Sequence, residues 1–293
     1  MRVVTLLPAA TEMVMALGGA ERLVGVSHEC DYPPAVTRLP RLTTTPLDAS
    51  ASSANIDAEV RRLREMGKPV IAVDAEALAR LAPDLLITQG LCEVCAVADG
   101  EIHRLAALLH PAPAVLSLSA RTLPGIWEDI RAVGQALDLR AEAEELVAGL
   151  LDRMSRLGGL PNTPRLVCVE WLEPLFLAGH WVPELVAATG GVDVGATPGS
   201  HSAVSEWTSV AALRPDLIVI MLCGFDVARA RAELEALESA GAKQVFTSAP
   251  VWILDGNAYT SRPGPRVVDG AERLRAAMVG NTMPGLERWL PAA

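Results

Sequence analysis

The stretch Leu78-Ala79-Arg80-Leu81-Ala82-Pro83-Asp84-Leu85-Leu86-Ile87 returns in altered form as Val210-Ala211-Ala212-Leu213-Arg214-Pro215-Asp216-Leu217-Ile218-Val219. Both copies read as a helix end, a Pro-Asp turn and an apolar strand. Cysteine follows each: Cys92 and Cys95 after the first, Cys223 after the second. Such an echo implies two α/β lobes of similar build facing each other. Strands alternating with helices imply parallel sheets. Ligands of such sheets bind beyond the carboxyl ends of the strands. Matching strand ends are therefore expected to meet across one cleft, where function is to be sought.

At 293 residues the chain suffices for one large domain or two ordinary ones. A hydrophobic fraction of 51% against 20% charged residues describes a folded soluble protein. Net charge is −10 and no Lys/Arg run occurs, which excludes a nucleic-acid partner that needs clustered positive charge. No stretch approaches the roughly 18 apolar residues of a membrane-spanning helix. Met1-Arg2-Val3-Val4-Thr5-Leu6-Leu7-Pro8 enters a strand-like run at once, without the apolar core and small-residue cleavage site of a secretory signal. The expected location is the cytoplasm, or the periplasm or cell surface if an export signal was omitted, and the expected state is a monomer. Five cysteines are an odd number and read as reduced thiols.

Along the chain, residues 2–7 read as a buried strand, and Thr11 as the cap of a helix from Glu12 to Leu17 stopped by Gly18-Gly19. A strand from Leu23 to Ser27 leads to His28-Glu29-Cys30. Residues 40–55, rich in Thr, Ser and Ala, read as a surface loop. A helix from Asp57 to Met66 follows, then strand, helix, strand, helix and strand to about residue 118. Helical spacing dominates from Ile126 to Leu157, with a break at Leu139-Arg140 and a long helix from Ala141 to Arg156. No Gly/Ser-rich linker appears, so the lobes are expected to be joined by a stiff helix. The second half alternates again, with one helix from Ala228 to Ser239 and a last one from about Arg266 to Val279. The fold class is thus α/β: two Rossmann-like lobes with parallel sheets and a long rigid backbone helix. The expected partition is an N-terminal lobe 1–122, a helical connector 123–160 and a C-terminal lobe 161–293.

Gln89-Gly90-Leu91-Cys92-Glu93-Val94-Cys95 directly follows a strand, and its C-x-x-C spacing suits one metal or a redox disulfide. Zinc needs four ligands, so Cys92 and Cys95 would require partners from among His28, Cys30, Cys223, His180 and His201. The plainer alternative is buried free thiols. Thioredoxin-type chemistry is opposed by Glu93, since it needs a thiolate stabilised by positive charge. His28 fits a ligand contact or an axial metal ligand, or a loop His bonded to backbone. Cys168 reads as core and His201 as solvated. Trp171, Trp181, Trp207 and Tyr259 lie in loops or at element ends, where aromatics wall flat ligands, whereas Trp127 and Trp289 read as packing. Arg262, in Ser261-Arg262-Pro263-Gly264-Pro265-Arg266 before the last helix, suits an anion or else forms part of a rigid helix entry. No phosphate-binding glycine motif, nucleophile elbow or catalytic carboxylate pair appears, so no enzymatic activity is expected.

Leu7-Pro8-Ala9-Ala10-Thr11-Glu12, Leu23-Val24-Gly25-Val26-Ser27, Asp31-Tyr32-Pro33, both Pro-Asp-Leu strands, the long central helix, Gly190-Gly191 and the 261–266 segment together resemble the cobalamin- and iron-siderophore-binding proteins of ABC importers. The resemblance covers nearly the whole chain. It implies the helical-backbone binding-protein fold and a ligand such as cobalamin, haem or a ferric chelate held between lobes. It also implies docking on an ABC permease, if the protein is exported, through a Glu on each lobe. Glu76 matches the first position; the second aligns near Thr208, with Glu206 two residues away. The pocket aromatics of the cobalamin binder align here with Glu29 and Gln89.

The leading reading is therefore a corrinoid or metal-chelate receptor. Its candidate ligand-binding residues are His28, Glu29, Gln89, Trp171, His180, Tyr259 and Arg262, with Glu76 and Glu206 for partner docking. The alternative is a cytoplasmic metalloprotein or enzyme holding zinc or an iron–sulfur cluster through Cys92, Cys95 and Cys223, joined by His28 or Cys30.

Overall fold

The computed structural model describes residues 1–90 and 99–290. The chain forms two compact units. One comprises Met1–Ala51, Ala58–Ala120 and Pro124–Gly149; the other comprises Ser52–Asp57, Arg121–Leu123 and the chain from Leu150 onward.

The first unit carries β1 (Val3–Thr5), α1 (Pro8–Ala16), β2 (Leu23–Val26), β3 (Thr43–Thr44), α2 (Ser53–Glu65), β4 (Ala72–Val73), α3 (Ala75–Leu81), β5 (Leu85–Gln89), α4 (Asp99–Leu108), β6 (Ala114–Leu118), α5 (Leu123–Ala136) and the start of α6 (Arg140–Ser155). The first turn of α2 and the first residue of α5 are counted with the second unit. Its main sheet has strand order β2-β1-β5-β6 and is parallel throughout. The chain passes from one unit to the other within α6, after Gly149.

The second unit carries β7 (Arg165–Trp171), β8 (Phe176–Leu177), α7 (Val182–Ala188), β9 (Val192–Asp193), β10 (Ala203–Val204), α8 (Trp207–Leu213), β11 (Leu217–Ile220), α9 (Val227–Ala236), α10 (Ala240–Ser248), β12 (Val251–Leu254), α11 (Gly256–Tyr259), α12 (Val267–Met278) and β13 (Leu286–Trp289). Its parallel centre, β9-β7-β11-β12, repeats the strand order of the first sheet. Antiparallel β8, β10 and β13 extend the edges, so this sheet is mixed and not purely parallel as the sequence suggested.

The sequence echo is matched bond for bond. Ala82 (φ 40) and Arg214 (φ 47) both end their helices in the left-handed conformation. Asp84 accepts from the Arg2 amide at 2.6 Å, and Asp216 from the Arg165 amide at 2.9 Å. The Arg2 and Arg165 side chains donate to Leu81 O and Leu213 O at the ends of α3 and α8. Arginine thereby satisfies carbonyls that a helix C-terminus leaves open. The Gly-Gly stops correspond as well: Gly18 (φ 79) and Gly190 (φ 91) turn the chain, and Gly19 and Gly191 donate back to Val14 O and Val186 O.

Several local expectations are corrected. Pro8 stands in the first turn of α1, where its missing N–H is harmless, so the helix begins before Thr11. Thr11 is interior, and its hydroxyl bonds Leu7 O and Thr5 Oγ1 instead of capping. The 40–55 stretch holds β3, paired with β4, and the start of α2. The helix drawn over 228–239 ends at Ala236, because Leu237 turns extended, and a further helix not expected from the sequence, α10, follows with Ser239 capping it by accepting from the Ala242 amide.

Helices α5 and α6 approach closely at Gly134. A Cβ there would overlap the Ala143 methyl and come within 3.0 Å of Leu139 O. Arg131 and Glu144 pair across the same two helices at 2.9 Å. In an open helix Gly→Ala stabilises by about 1 kcal/mol, but overpacking costs about 1–3 kcal/mol. Gly134→Ala is therefore expected to destabilise the chain by about 1–2 kcal/mol, read as a lower urea midpoint at unchanged slope. A raised midpoint would show that the helices separate without strain.

Candidate functional site

Both sheets present side chains with binding chemistry at their carboxyl ends.

In the first unit, β2 runs out into Ser27, His28, Glu29 and Cys30. His28 is half-buried, and Thr43 Oγ1 lies 2.9 Å from its amide and 2.6 Å from its Nδ1. Thr43 also donates to Ser27 Oγ at 3.1 Å. Arg41 donates to the carbonyls of Ser27 and Cys30, which fastens the loop. Burial, then the Arg41 charge, pushes the His28 pKa below its ordinary value, so the ring is neutral at pH 7. With Nδ1 bonded to Thr43, Nε2 is the nitrogen for an incoming group. Glu29 is exposed beside it. Gln89 closes β5 and is almost fully buried, at 9% exposure.

Cys30 does not serve as a metal ligand in this arrangement. It is fully buried beside Val26 and Val36, and its sulfur meets Thr11 Oγ1 at 3.0 Å. Cys92 and Cys95 lie outside the described residues. Among the described residues no three His, Cys, Asp or Glu side chains form a metal-binding group. Cys223 is a half-buried free thiol two residues past Met221, its amide bonded to Glu170 O at 3.0 Å. Cys168 is core: burial and neighbouring Asp193 raise its pKa well above the usual thiol range. Burial likewise pushes the Asp193 carboxyl up to about 6.

In the second unit, Trp171 ends β7 half-buried. Its ring meets Phe225 edge-on at 5.3 Å, and its Nε1 donates to Glu173 O. His180 follows β8 with φ 54 and stands between two aromatic rings, Trp181 at 5.7 Å and His201 at 5.4 Å. His201, expected to be merely solvated, is exposed but paired with His180. Burial lowers the His180 pKa first, then His201 and Arg121 add to it. Trp181 is buried and donates to Thr260 O at 3.1 Å, so it packs instead of walling a pocket.

Two expected ligand residues are spent within the fold. Tyr259 has the Arg273 guanidinium 3.6 Å and that of Arg266 4.9 Å from its ring centre, and its hydroxyl accepts from Arg273 at 2.9 Å. Its ring is occupied by cations of its own unit. Arg262, expected on a loop surface, is buried at 5% exposure and donates to Asn257 Oδ1 at 2.8 Å. The rigid helix entry is what this segment builds.

Glu76 and Glu206 are both exposed, one in the first turn of α3 and one at the N-cap of α8, the equivalent helices of the two units. Glu76 pairs loosely with Arg80 at 3.8 Å, and Glu206 accepts weakly from Thr208 at 3.4 Å. Residues that sequence reading overlooked include Thr43, Arg41, Phe225 and Arg121. Thr43 and Arg41 lay in a stretch with no period, and nothing local marked Arg121 or Phe225.

A family model described as periplasmic binding protein matches residues 3–253. The chain belongs to this family. Its members are solute binders, not catalysts. The vitamin B12-binding protein of Vibrio cholerae serotype O1 is 25% identical over 291 residues, covering 93% of this chain and 87% of that one. A periplasmic heme-binding protein from Pseudomonas aeruginosa superposes with a TM-score of 0.72 at 20% identity, covering 100% of this chain and 99% of that one. An ABC transporter substrate-binding protein from Listeria monocytogenes EGD-e gives a TM-score of 0.67 at 15% identity, covering 94% and 97%. Among the described residues of this periplasmic binding protein, no helix is long and apolar enough to cross a membrane.

Proposed function

We propose that this periplasmic binding protein carries a metal chelate of the corrinoid, haem or ferric-siderophore class, and delivers it to an ABC permease from the periplasm or cell surface. The observation that carries the reading is the family match over residues 3–253, joined to the vitamin B12-binding relative that spans 93% of the chain. The strand ends of the two units, each taken by itself, support it with the right chemistry. One offers neutral His28 with Glu29 and Gln89, the other Trp171 and His180. Flat or ring-shaped chelates need an aromatic wall and a few fixed polar contacts, and no acid–base pair. Glu76 and Glu206, exposed on equivalent helices, are the proposed carboxylates for permease arginines.

Purified protein titrated with cyanocobalamin, haem and a ferric hydroxamate, followed by calorimetry and visible absorption, tests this. Binding of one probe at about 1 μM or tighter is expected. Trp171→Ala is expected to weaken that binding by about 1–3 kcal/mol through lost stacking and burial. Failure of all three probes at about 1 mM would sink the ligand class; unchanged affinity in Trp171→Ala would remove Trp171 from the site.

A further inference from the structure

Three loops of the second unit are fastened into one surface, and each brings a basic side chain to it. His180 donates its amide to Ser200 O at 2.7 Å and accepts from Gly199 at 2.9 Å. Gly179 donates to Ser202 Oγ, and any Cβ at Gly179 would overlap Ser200 O. The 121–123 segment joins them. A Cβ on Gly199 would stand 3.3 Å from Thr122 Cγ2, and the Leu123 amide donates to Glu184 Oε2 at 2.5 Å. The loops therefore bring the 121–123 segment against the turn that carries His180 and His201, whose imidazoles stand 5.4 Å apart and nearly perpendicular at 85°.

Among the described residues Arg121 and His201 form no ion pair, and the carboxylate of Glu184 is engaged by the Leu123 amide. The Arg121 guanidinium is thus the fixed positive charge near two imidazoles, on a chain of net charge −10. Arg121 and His201 also act on His180 as positive neighbours, lowering its pKa after burial has done so. Such a field opposes a free divalent cation on the imidazole pair, and it favours a carboxylate or phosphate.

We propose that Arg121, His180 and His201 form an anion-recognition cluster, and that the chelate carried by this chain bears peripheral carboxylates, as an iron porphyrin does. This rests on the solute-binding reading above and narrows it. Arg121 supplies a planar fork for a carboxylate, and the histidines donate N–H groups beside it.

The test compares haem, haem dimethyl ester and cyanocobalamin by tryptophan-fluorescence quenching, on wild-type protein, Arg121→Gln/His201→Gln and Arg121→Lys. Wild type is expected to bind haem at least about tenfold more tightly than the ester, as hydrogen bonds to a charged group require. The double variant should close that gap by weakening haem alone, and Arg121→Lys should keep most of it. Both changed residues are exposed, so thermal melts should match wild type. Equal affinity for haem and ester, or a gap that survives the double variant, overturns the cluster. Binding of cyanocobalamin without haem leaves the solute-binding reading intact and removes this one. Binding of no probe removes both.

Discussion

Gly256→Ala is expected to destabilise the chain by about 3–4 kcal/mol, at the upper end of single substitutions. The glycine opens α11 directly after β12, and a Cβ there would overlap Leu222 O, with the Met221 carbonyl carbon and oxygen both 2.7 Å away. These are backbone atoms just past the end of β11, with no rotamer through which to retreat. Gly256 is not in a left-handed conformation, so propensity alone would favour alanine by about 1 kcal/mol. The clash outweighs that gain because the neighbours are fixed: Asn257 donates to Phe225 O, Ser261 to Gly256 O, and Asp255 caps the Ala258 amide at 2.8 Å. Urea unfolding measures the loss. For contrast, Gly280 (φ 77) has no atom near its missing Cβ, and Gly280→Ala should lose only about 1 kcal/mol from backbone strain. Equal effects at the two sites would show that the β11–α11 contact relaxes freely.

The doubled architecture was legible because it rests on short-range signals. Pro83-Asp84 and Pro215-Asp216 each mark a helix end, and the Leu85 and Leu217 strands that follow are apolar enough to be buried centres of parallel sheets. Helix α8 begins and ends where periodicity puts it, at Trp207 and Leu213. What escaped was structure decided by partners distant in sequence. Thr43-Thr44 becomes a strand only because Ala72-Val73 offers an antiparallel edge, and β13 exists because β12 has a free side. The site divides in the same way. His28 and Trp171 were readable as strand-end residues with suitable chemistry. The fate of Tyr259 and Arg262 was not, since each is claimed by a residue, Arg273 or Asn257, whose proximity appears only after folding. Arg121 lay unmarked for the same reason: its neighbours His180 and His201 come from other loops.

Arg273→Ala is expected to cost about 3–5 kcal/mol, while Tyr259→Phe costs about 1–2 kcal/mol, and neither should change ligand affinity in protein that remains folded. Arg273 is buried at 8% exposure, and each of its three guanidinium nitrogens donates a hydrogen bond. Nε donates to Pro284 O at 2.8 Å, Nη1 to Asp269 O at 2.8 Å and Nη2 to the Tyr259 hydroxyl at 2.9 Å, with the ring 3.6 Å away. Truncation removes the Arg273 donors from two carbonyls and a hydroxyl and empties the space over the ring. Tyr259→Phe removes one of these bonds and keeps the cation–ring contact, so its loss is smaller. Gly285 permits the arrangement, since a Cβ there would lie 2.6 Å from the Tyr259 ring and 3.2 Å from Arg273 Nε. The same helix, α12, also offers Asp269 and Glu272 to Arg153 near the end of α6, at 2.5 and 2.7 Å. Loosening Arg273 should therefore also free the second-unit end of α6, visible as faster amide exchange in residues 150–155. A variant Tyr259→Phe with wild-type stability but weakened chelate binding would return the phenol to the ligand site and sink this assignment.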